Sequence, residues 1–223
     1  MGKMLVLLRP VRCLICMVLV AVGLQAQQPN PQAAAASAKP SAANAPHLDP
    51  GEVADGVYHN LLFGFTFKIP FGWVDRTDVM RQDSTGNAKA VPSKSMVLLA
   101  TFERPPEASE QGVNAGVVIA AESVSSYPGL KDASQYFQPL EEVAKSKDLK
   151  VVNEPYDFPV DGMSIVRQDF SKKMANATVY QSTLVMLQKG YALSFTFLGS
   201  SDDEITNLFD NLRFGRVKQA KSR

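Results

Sequence analysis

The amino-acid sequence predicts an α+β fold, an α/β/α sandwich in which a mostly antiparallel, twisted sheet is flanked by helices. Three observations predict it. Several short segments alternate apolar and polar residues as half-buried strands do, two further segments are apolar at every position, and two carry the apolar stripe of a helix. The chain has 223 residues, 45% of them hydrophobic, which is enough for one domain with a substantial core.

The first 26 residues have the features of a secretory signal peptide. Lys3, Arg9 and Arg12 precede an apolar run over residues 13–24. A helix of that length spans roughly 18 Å, which is well short of the ~30 Å hydrocarbon core of a membrane. We therefore predict cleavage after Ala26 and export to the periplasm or the medium.

Three other interpretations of this segment compete with cleavage after Ala26. The alternative cleavage site is after Gly23, with the small Ala21 upstream. An uncleaved anchor that reaches back to Met4 would bury two arginines, which opposes it. Acylation of Cys16, as in a lipoprotein, is disfavoured because the bulky Ile15 precedes it.

Residues 27–56 are predicted to form a disordered linker. Ala and Pro dominate residues 27–50, where the only apolar side chain larger than Ala is Leu48. Such a segment buries too little apolar surface to offset the entropy lost on ordering. The folded domain is expected over residues 57–215, and a basic tail over residues 216–223 follows it.

The first strands of the domain are predicted from aromatic alternation. Residues 57–62 have the pattern of an edge strand, and the next strand has apolar side chains at every second position, namely Phe63, Phe65, Phe67 and Ile69. Pro70 and Gly72 end this strand just before Trp73. Residues 76–94 are polar, and we predict a long loop there.

The central strands follow. In residues 95–102 and 113–122 apolar side chains occupy both odd and even positions, so both faces of these strands should be covered. Residues 163–172 and 178–188 are joined by a short polar turn. Lys189 and Gly190 then lead into the alternating strand 191–197, as in a two-residue hairpin.

Two helices should cover the sheet. The first runs over residues 132–147, starts in a capping box of Asp132 and Gln135, and is expected to kink or divide at Pro139. The second is capped by Ser201, with Glu204 three residues on.

Two motifs together resemble those of PsbP-like domains. One is the aromatic strand Phe65-Thr-Phe-Lys-Ile-Pro-Phe-Gly-Trp73. The other is Gly190-Tyr-Ala-Leu-Ser-Phe-Thr-Phe197 with the later Phe209-Asp-Asn-Leu-Arg-Phe214. The resemblance covers residues 57–215 and implies an α/β/α sandwich around an antiparallel sheet. It also implies a role in binding and assembling macromolecules rather than in catalysis.

The composition disfavours several other classes of function. A net charge of +1, which becomes −2 once the first 26 residues are removed, disfavours binding to nucleic acid. Both cysteines lie in the signal peptide, so the mature chain has no thiol chemistry. Only His59 could serve as a histidine base or ligand within the domain, and no catalytic, metal or cofactor site is predicted.

The leading hypothesis is a non-catalytic binding or assembly module that contacts a protein partner in the cell envelope. The alternative is a small-ligand or lipid-binding protein, or an enzyme of another kind, with a cleft near Trp73 and residues 76–94. The tail is also expected to contact anionic membrane surfaces weakly. Candidate contact residues are Tyr58, His59, Trp73, Arg213, Arg216 and Lys218.

Overall fold

Two antiparallel sheets and three α-helices make up the part of the chain that the computed structural model describes, residues 48–85, 95–105 and 112–215. The α+β fold class and the antiparallel sheet are confirmed. None of the helices in these ranges is long and apolar enough to cross a membrane. The signal peptide with Ala26, most of the predicted linker and the basic tail lie outside the described residues.

The larger sheet has the strand order β4-β5-β6-β11-β10-β9-β7, with β8 paired to β9. Its strands are β4 (Val74–Asp75), β5 (Ser95–Phe102), β6 (Gly116–Ser123), β7 (Lys150–Val151), β8 (Tyr156–Asp157), β9 (Val166–Lys173), β10 (Thr178–Gln188) and β11 (Tyr191–Gly199). The predicted hairpin between β10 and β11 is confirmed. Lys189 and Gly190 both have positive φ, at 51° and 79°, as a two-residue turn of type I′ requires.

The smaller sheet has the order β1-β2-β3-β12 and brings both ends of the domain together. Its strands are β1 (Glu52–Ala54), β2 (Val57–Asn60), β3 (Phe65–Lys68) and β12 (Leu212–Phe214). Since β12 follows the last helix and pairs with β3, the two motifs of the sequence meet in this sheet.

The ordered fold begins earlier than the predicted linker boundary at residue 57. β1 pairs with β2 through a two-residue turn at Asp55 and Gly56, and Leu48 is buried in the core. Asn60 fixes this start because its side-chain amide donates to the carbonyl oxygen of Asp49 at 3.2 Å. This contact could not be predicted from a composition rich in Ala and Pro, because Asn60 and Asp49 lie eleven residues apart in the chain.

Both predicted helices are present. A 3₁₀ turn (Ala133–Tyr136) opens with the expected capping box of Asp132 and Gln135, and α2 (Phe137–Ser146) continues from it, so the segment is divided as Pro139 led us to expect. α3 (Asp202–Phe209) starts where predicted, and the Ser201 hydroxyl accepts from the Glu204 backbone N–H.

The predicted loop over residues 76–94 is wrong in its first half, where Thr77–Thr85 forms α1. This helix is specified by the edge of the larger sheet rather than by its own composition. The Ala100 N–H donates to the Thr77 hydroxyl at 2.9 Å, and the Arg81 guanidinium donates to the carbonyl oxygens of Val97 and Leu98 at 2.7 and 3.1 Å. β4 is only two residues long, so α1 satisfies edge groups of β5 that no strand reaches.

The larger sheet is the middle of three layers, and both of its faces are buried. α2 covers one face, where Val185 and Ala192 lie. The smaller sheet and α3 cover the other face, where Leu184 and Leu193 lie. The alternation of Leu184 and Val185 between the two sides is the period of two that a strand requires.

Phenylalanine rings fill the space between the two sheets. Phe65 and Phe195 meet edge to face at 5.1 Å between ring centroids, and Phe197 meets Phe209 of α3 at 4.7 Å and 89°. Phe67 lies 6.3 Å from Phe197. These geometries favour the attraction between ring edges and faces, in addition to burial of apolar area.

Replacement of Phe197 should therefore destabilise the fold strongly. Phe197→Ala removes a fully buried ring that contacts both Phe67 and Phe209, so the free energy of unfolding should fall by about 3–5 kcal/mol. Urea unfolding measures the change. Phe71→Ala is the matched control, since Phe71 is fully exposed, and it should change stability by less than about 0.5 kcal/mol. Equal losses in both variants would contradict the assignment of the core.

Candidate functional site

The candidate contact residues on β2 point to opposite sides of the smaller sheet. Tyr58 points inward and is buried, whereas His59 lies on the outer face. His59 is opposite Thr66 of β3, and Thr66 is opposite Arg213 of β12. Glu52 of β1 is opposite His59, which completes a row across the sheet. The outer row thus holds one carboxylate, one imidazole and one guanidinium.

His59 and Arg213 therefore share a surface, as the hypothesis of a contact face would need. The Nδ1 atom of His59 is buried and makes no hydrogen bond to any described residue. Arg213 is exposed and donates to the carbonyl oxygen of Leu212 at 2.8 Å. Arg216 and Lys218 lie outside the described residues.

Tyr58 anchors the start of the domain. Its hydroxyl donates to the carbonyl oxygen of Pro50 at 2.8 Å and accepts from the Asn60 side-chain amide at 3.1 Å. A side chain at Gly51 would clash, because an added Cβ would lie 2.4 Å from the Tyr58 hydroxyl oxygen. Burial raises the pKa of Tyr58 to about 12, and the hydrogen bond from Asn60 offsets only part of that effect.

A turn over residues 70–73 presents an aromatic side chain to solvent. The Trp73 N–H donates to the carbonyl oxygen of Pro70 at 3.2 Å, and Gly72 has a φ of 83°, as the third residue of a type II turn requires. Trp73 is half-buried against the core, whereas Phe71 is fully exposed at 107% of its reference area. The motif thus packs the Trp73 ring against the core and leaves the Phe71 ring exposed to water.

A cleft of about 470 Å³ separates β1 from α1. Tyr58, Leu98 and Leu99 line it, together with Glu52 and Val53 of β1. The lining on the side of α1 consists of Asp75, Arg76, Thr77, Asp78, Val79 and Arg81. The sequence suggested a cleft formed by Trp73 and residues 76–94; the structure contains one formed by the start of that segment, but Trp73 does not line it.

A second cleft, of about 450 Å³, lies where β9 meets α3, and sequence reasoning missed it. Arg167 is at its centre with a side chain only 10% exposed. Its guanidinium donates to Asp169 at 2.7 Å and to Asp202 at 3.3 Å. Three rings surround the cation, with centroids at 5.8, 5.2 and 4.8 Å from its central carbon; they belong to Tyr156, Phe158 and Phe209.

The Asp169 carboxylate is the centre of the polar network in this second cleft. It accepts hydrogen bonds from the Asn153 amide, at 2.6 Å, and from the Ser182 hydroxyl. The charge of Arg167 is therefore paired, and the network joins β9, β10 and the segment before β8. Charged residues at positions 167 and 169 of a predicted strand were the available signal, because side chains two apart share a face.

Metal-ligating groups do not gather in the part of the chain that the structure describes. No group of three or more His, Cys, Asp or Glu side chains there could hold an ion. Glu122 is buried, and its carboxylate accepts a hydrogen bond from the Tyr127 hydroxyl.

Comparison with solved structures finds similar folds at low sequence identity. The solution structure of PsbP from the cyanobacterium Synechocystis is 17% identical, with a TM-score of 0.43, and the match covers 77% of this chain and 100% of that chain. LpqN of Mycobacterium tuberculosis, a protein involved in cell envelope biogenesis, is 15% identical, with a TM-score of 0.37. The match covers 74% of this chain and 81% of that chain. The first of these structures is a PsbP, the kind of domain that the two sequence motifs resemble.

Neither a protein-family model nor a curated protein matches the sequence. A third similar structure is PA94 of Pseudomonas aeruginosa, a protein of unknown function described as a putative regulator. It is 15% identical, with a TM-score of 0.33, and the match covers 46% of this chain and 69% of that chain.

The buried Tyr58 should make the fold sensitive to alkaline pH. The unfolded chain releases this proton near the ordinary pKa of 10.0, whereas the folded protein retains it up to about 12. The stabilisation from this group is therefore fully present below pH 10 and is lost as pH rises from about 10 through 12. Over that interval the free energy of unfolding should fall by about 1.4 kcal/mol per pH unit.

Urea unfolding of the wild-type chain and of Tyr58→Phe across this interval measures the effect. The variant lacks the titrating hydroxyl, so its stability should fall less steeply with pH than that of the wild type. Parallel pH profiles for the two proteins would contradict the assignment.

Proposed function

We propose that this chain is an exported, non-catalytic binding module of the bacterial cell envelope, which acts by docking on a protein partner. Export is supported by the basic and apolar N-terminal segment with its expected cleavage after Ala26. Binding is supported by Phe71, the one observation that carries the proposal.

Phe71 is an apolar ring that water surrounds, on a turn that the fold holds in place. The turn is fixed by the hydrogen bond between Trp73 and Pro70, and the Ile69 N–H donates to the carbonyl oxygen of Gly56 at 2.8 Å. Burial of a phenylalanine side chain in a partner's pocket contributes about 2–3 kcal/mol. Because the backbone is already ordered, little entropy remains to be lost on binding, and such aromatic anchors dominate many interfaces.

The outer face of the smaller sheet, whose strand β3 leads into this turn, supplies polar groups. Lys68, His59, Arg213 and Glu52 all have side chains on that face. A central aromatic residue with a polar, solvated surround is the usual anatomy of a protein interface. The basic residues Arg216 and Lys218 would add a weak attraction to anionic membranes.

N-terminal sequencing of the protein recovered from its natural host tests the export component. We expect the mature chain to begin at Gln27 in the periplasmic or medium fraction. A chain that begins at Leu24 would assign cleavage to the site after Gly23. A chain in the membrane fraction that still begins at Met1 would establish an anchor and overturn this component.

Site-specific crosslinking tests the role of Phe71. A photoreactive residue at position 71 should capture a defined envelope protein, and Phe71→Ser should weaken co-purification of that protein by about tenfold or more, since anchor residues contribute over ~1.4 kcal/mol. Leu61→Ser, at a residue 48% exposed on another turn of the same sheet, is the matched control and should retain the partner. Retention of the partner by Phe71→Ser, with both variants folded, would overturn the proposal.

A further inference from the structure

We propose that the cleft between β1 and α1 binds an extended, basic segment of a partner protein, which adds as a strand to the free edge of β1. The inference rests on the proposed binding function and deepens it by naming the chemistry of the partner. Three observations carry it: the hydrogen-bonding groups of the edge, the apolar walls of the cleft and the carboxylates at its rim.

The edge offers an unpaired donor and acceptor. Among the described residues β1 pairs only with β2, through the turn at Asp55 and Gly56, so Ala54 and Val57 form the hydrogen-bonded pair next to the turn. Hydrogen-bonded and non-hydrogen-bonded pairs alternate along an antiparallel ladder. The next pair, Val53 with Tyr58, is therefore a non-hydrogen-bonded pair. The N–H and C=O of Val53 therefore point away from β2, and no described residue bonds them.

The walls of the cleft offer apolar contact at both sides. Val53 of β1 and Val79 of α1 both line the cleft, and they are 48% and 42% exposed. Leu98, Leu99 and the ring of Tyr58 line the same space. A strand that bonds to Val53 would place alternate side chains toward this lining, which is the way extended peptides bind to sheet edges in other folds.

The charges at the rim select a basic segment. Glu52, Asp75 and Asp78 are exposed lining residues, and the Asp78 side chain is 85% exposed. Arg81 directs its guanidinium to the carbonyl oxygens of Val97 and Leu98 and also donates to Asp78 at 3.2 Å, while Arg76 is half-buried at the start of α1. The lining thus has three carboxylates against two guanidinium groups, and lysine or arginine side chains that flank the bound strand would complement this excess of negative charge.

A designed peptide tests this inference with the full mature chain. The probe is a fluorescent seven-residue peptide that alternates Lys and Val, and fluorescence anisotropy measures its affinity. A peptide of the same sequence with N-methylated backbone amides keeps the charge but lacks the donors, and a third peptide carries Glu in place of Lys. We expect the first peptide to bind at least about tenfold more tightly than either of the others.

Variants of the protein locate the site. Glu52→Lys combined with Asp78→Lys should weaken binding of the Lys–Val peptide about tenfold at low salt, whereas Asp83→Lys, on the same helix but outside the cleft, should leave it unchanged. Val53→Pro removes the outward N–H on an edge strand, where proline is tolerated, and should also abolish tight binding. Amide chemical shifts of Glu52, Val53 and Ala54 should move with the peptide.

Three results would overturn the inference. Equal affinity for the plain and the N-methylated peptides would exclude strand addition. Equal affinity of the Glu52→Lys/Asp78→Lys and Asp83→Lys variants would exclude this cleft. A concentration-dependent dimer that Val53→Pro abolishes would assign the edge to a second copy of the chain. Phe71-dependent capture of a partner is measured separately, so loss of peptide binding alone leaves the proposed function standing.

Discussion

The contact between the two sheets depends on a layer of phenylalanine rings. Phe65 and Phe67 come from the smaller sheet, Phe195 and Phe197 come from the larger sheet, and Phe209 comes from α3. A four-stranded sheet of such short strands would not be stable alone, so its position is set by the apolar face that it buries. This layer fixes the smaller sheet by its inner face only, so the outer face of that sheet stays exposed.

That one-sided anchoring leaves three features of the smaller sheet accessible to other molecules. The outer face carries His59 and Arg213, the turn before Trp73 carries Phe71, and the free edge carries the unpaired backbone groups of Val53. A sheet edge with free donors and acceptors also promotes aggregation, and short length with exposed charge reduces that risk. β1 has only three residues, and Glu52 is one of them. The same edge is therefore guarded against unspecific pairing while a matched basic strand can still add to it.

The two clefts differ in how their charges are used. In the cleft at β9, Arg167 is paired with Asp169 and Asp202 and enclosed by three rings, so its charge serves to join β9 to α3. In the cleft at β1, Arg81 covers the carbonyl groups of the β5 edge and pairs with the exposed Asp78. Removal of one partner from a paired, largely buried network leaves an uncompensated charge, which is strongly destabilising. Glu52, in the cleft at β1, is exposed and forms no salt bridge with a described residue, so its carboxylate is available to a ligand.

The sequence by itself determined the elements whose pattern is local. The alternation in β3 and β11, the turn at Lys189 and Gly190 and the caps of Asp132 and Ser201 follow from side-chain period, positive φ and short-range hydrogen bonds. It also placed His59 and Arg213 among the contact candidates, although not on one face of the same sheet.

Only the tertiary structure decided the rest, because the deciding partners are distant along the chain. α1 depends on carbonyl groups of β5 that lie sixteen or more residues away, and β1 depends on the pairing of Asn60 with Asp49. The Arg167 network joins residues 35 positions apart. The pairing of β12 with β3, which brings a strand that follows α3 into the smaller sheet, is encoded by neither strand alone.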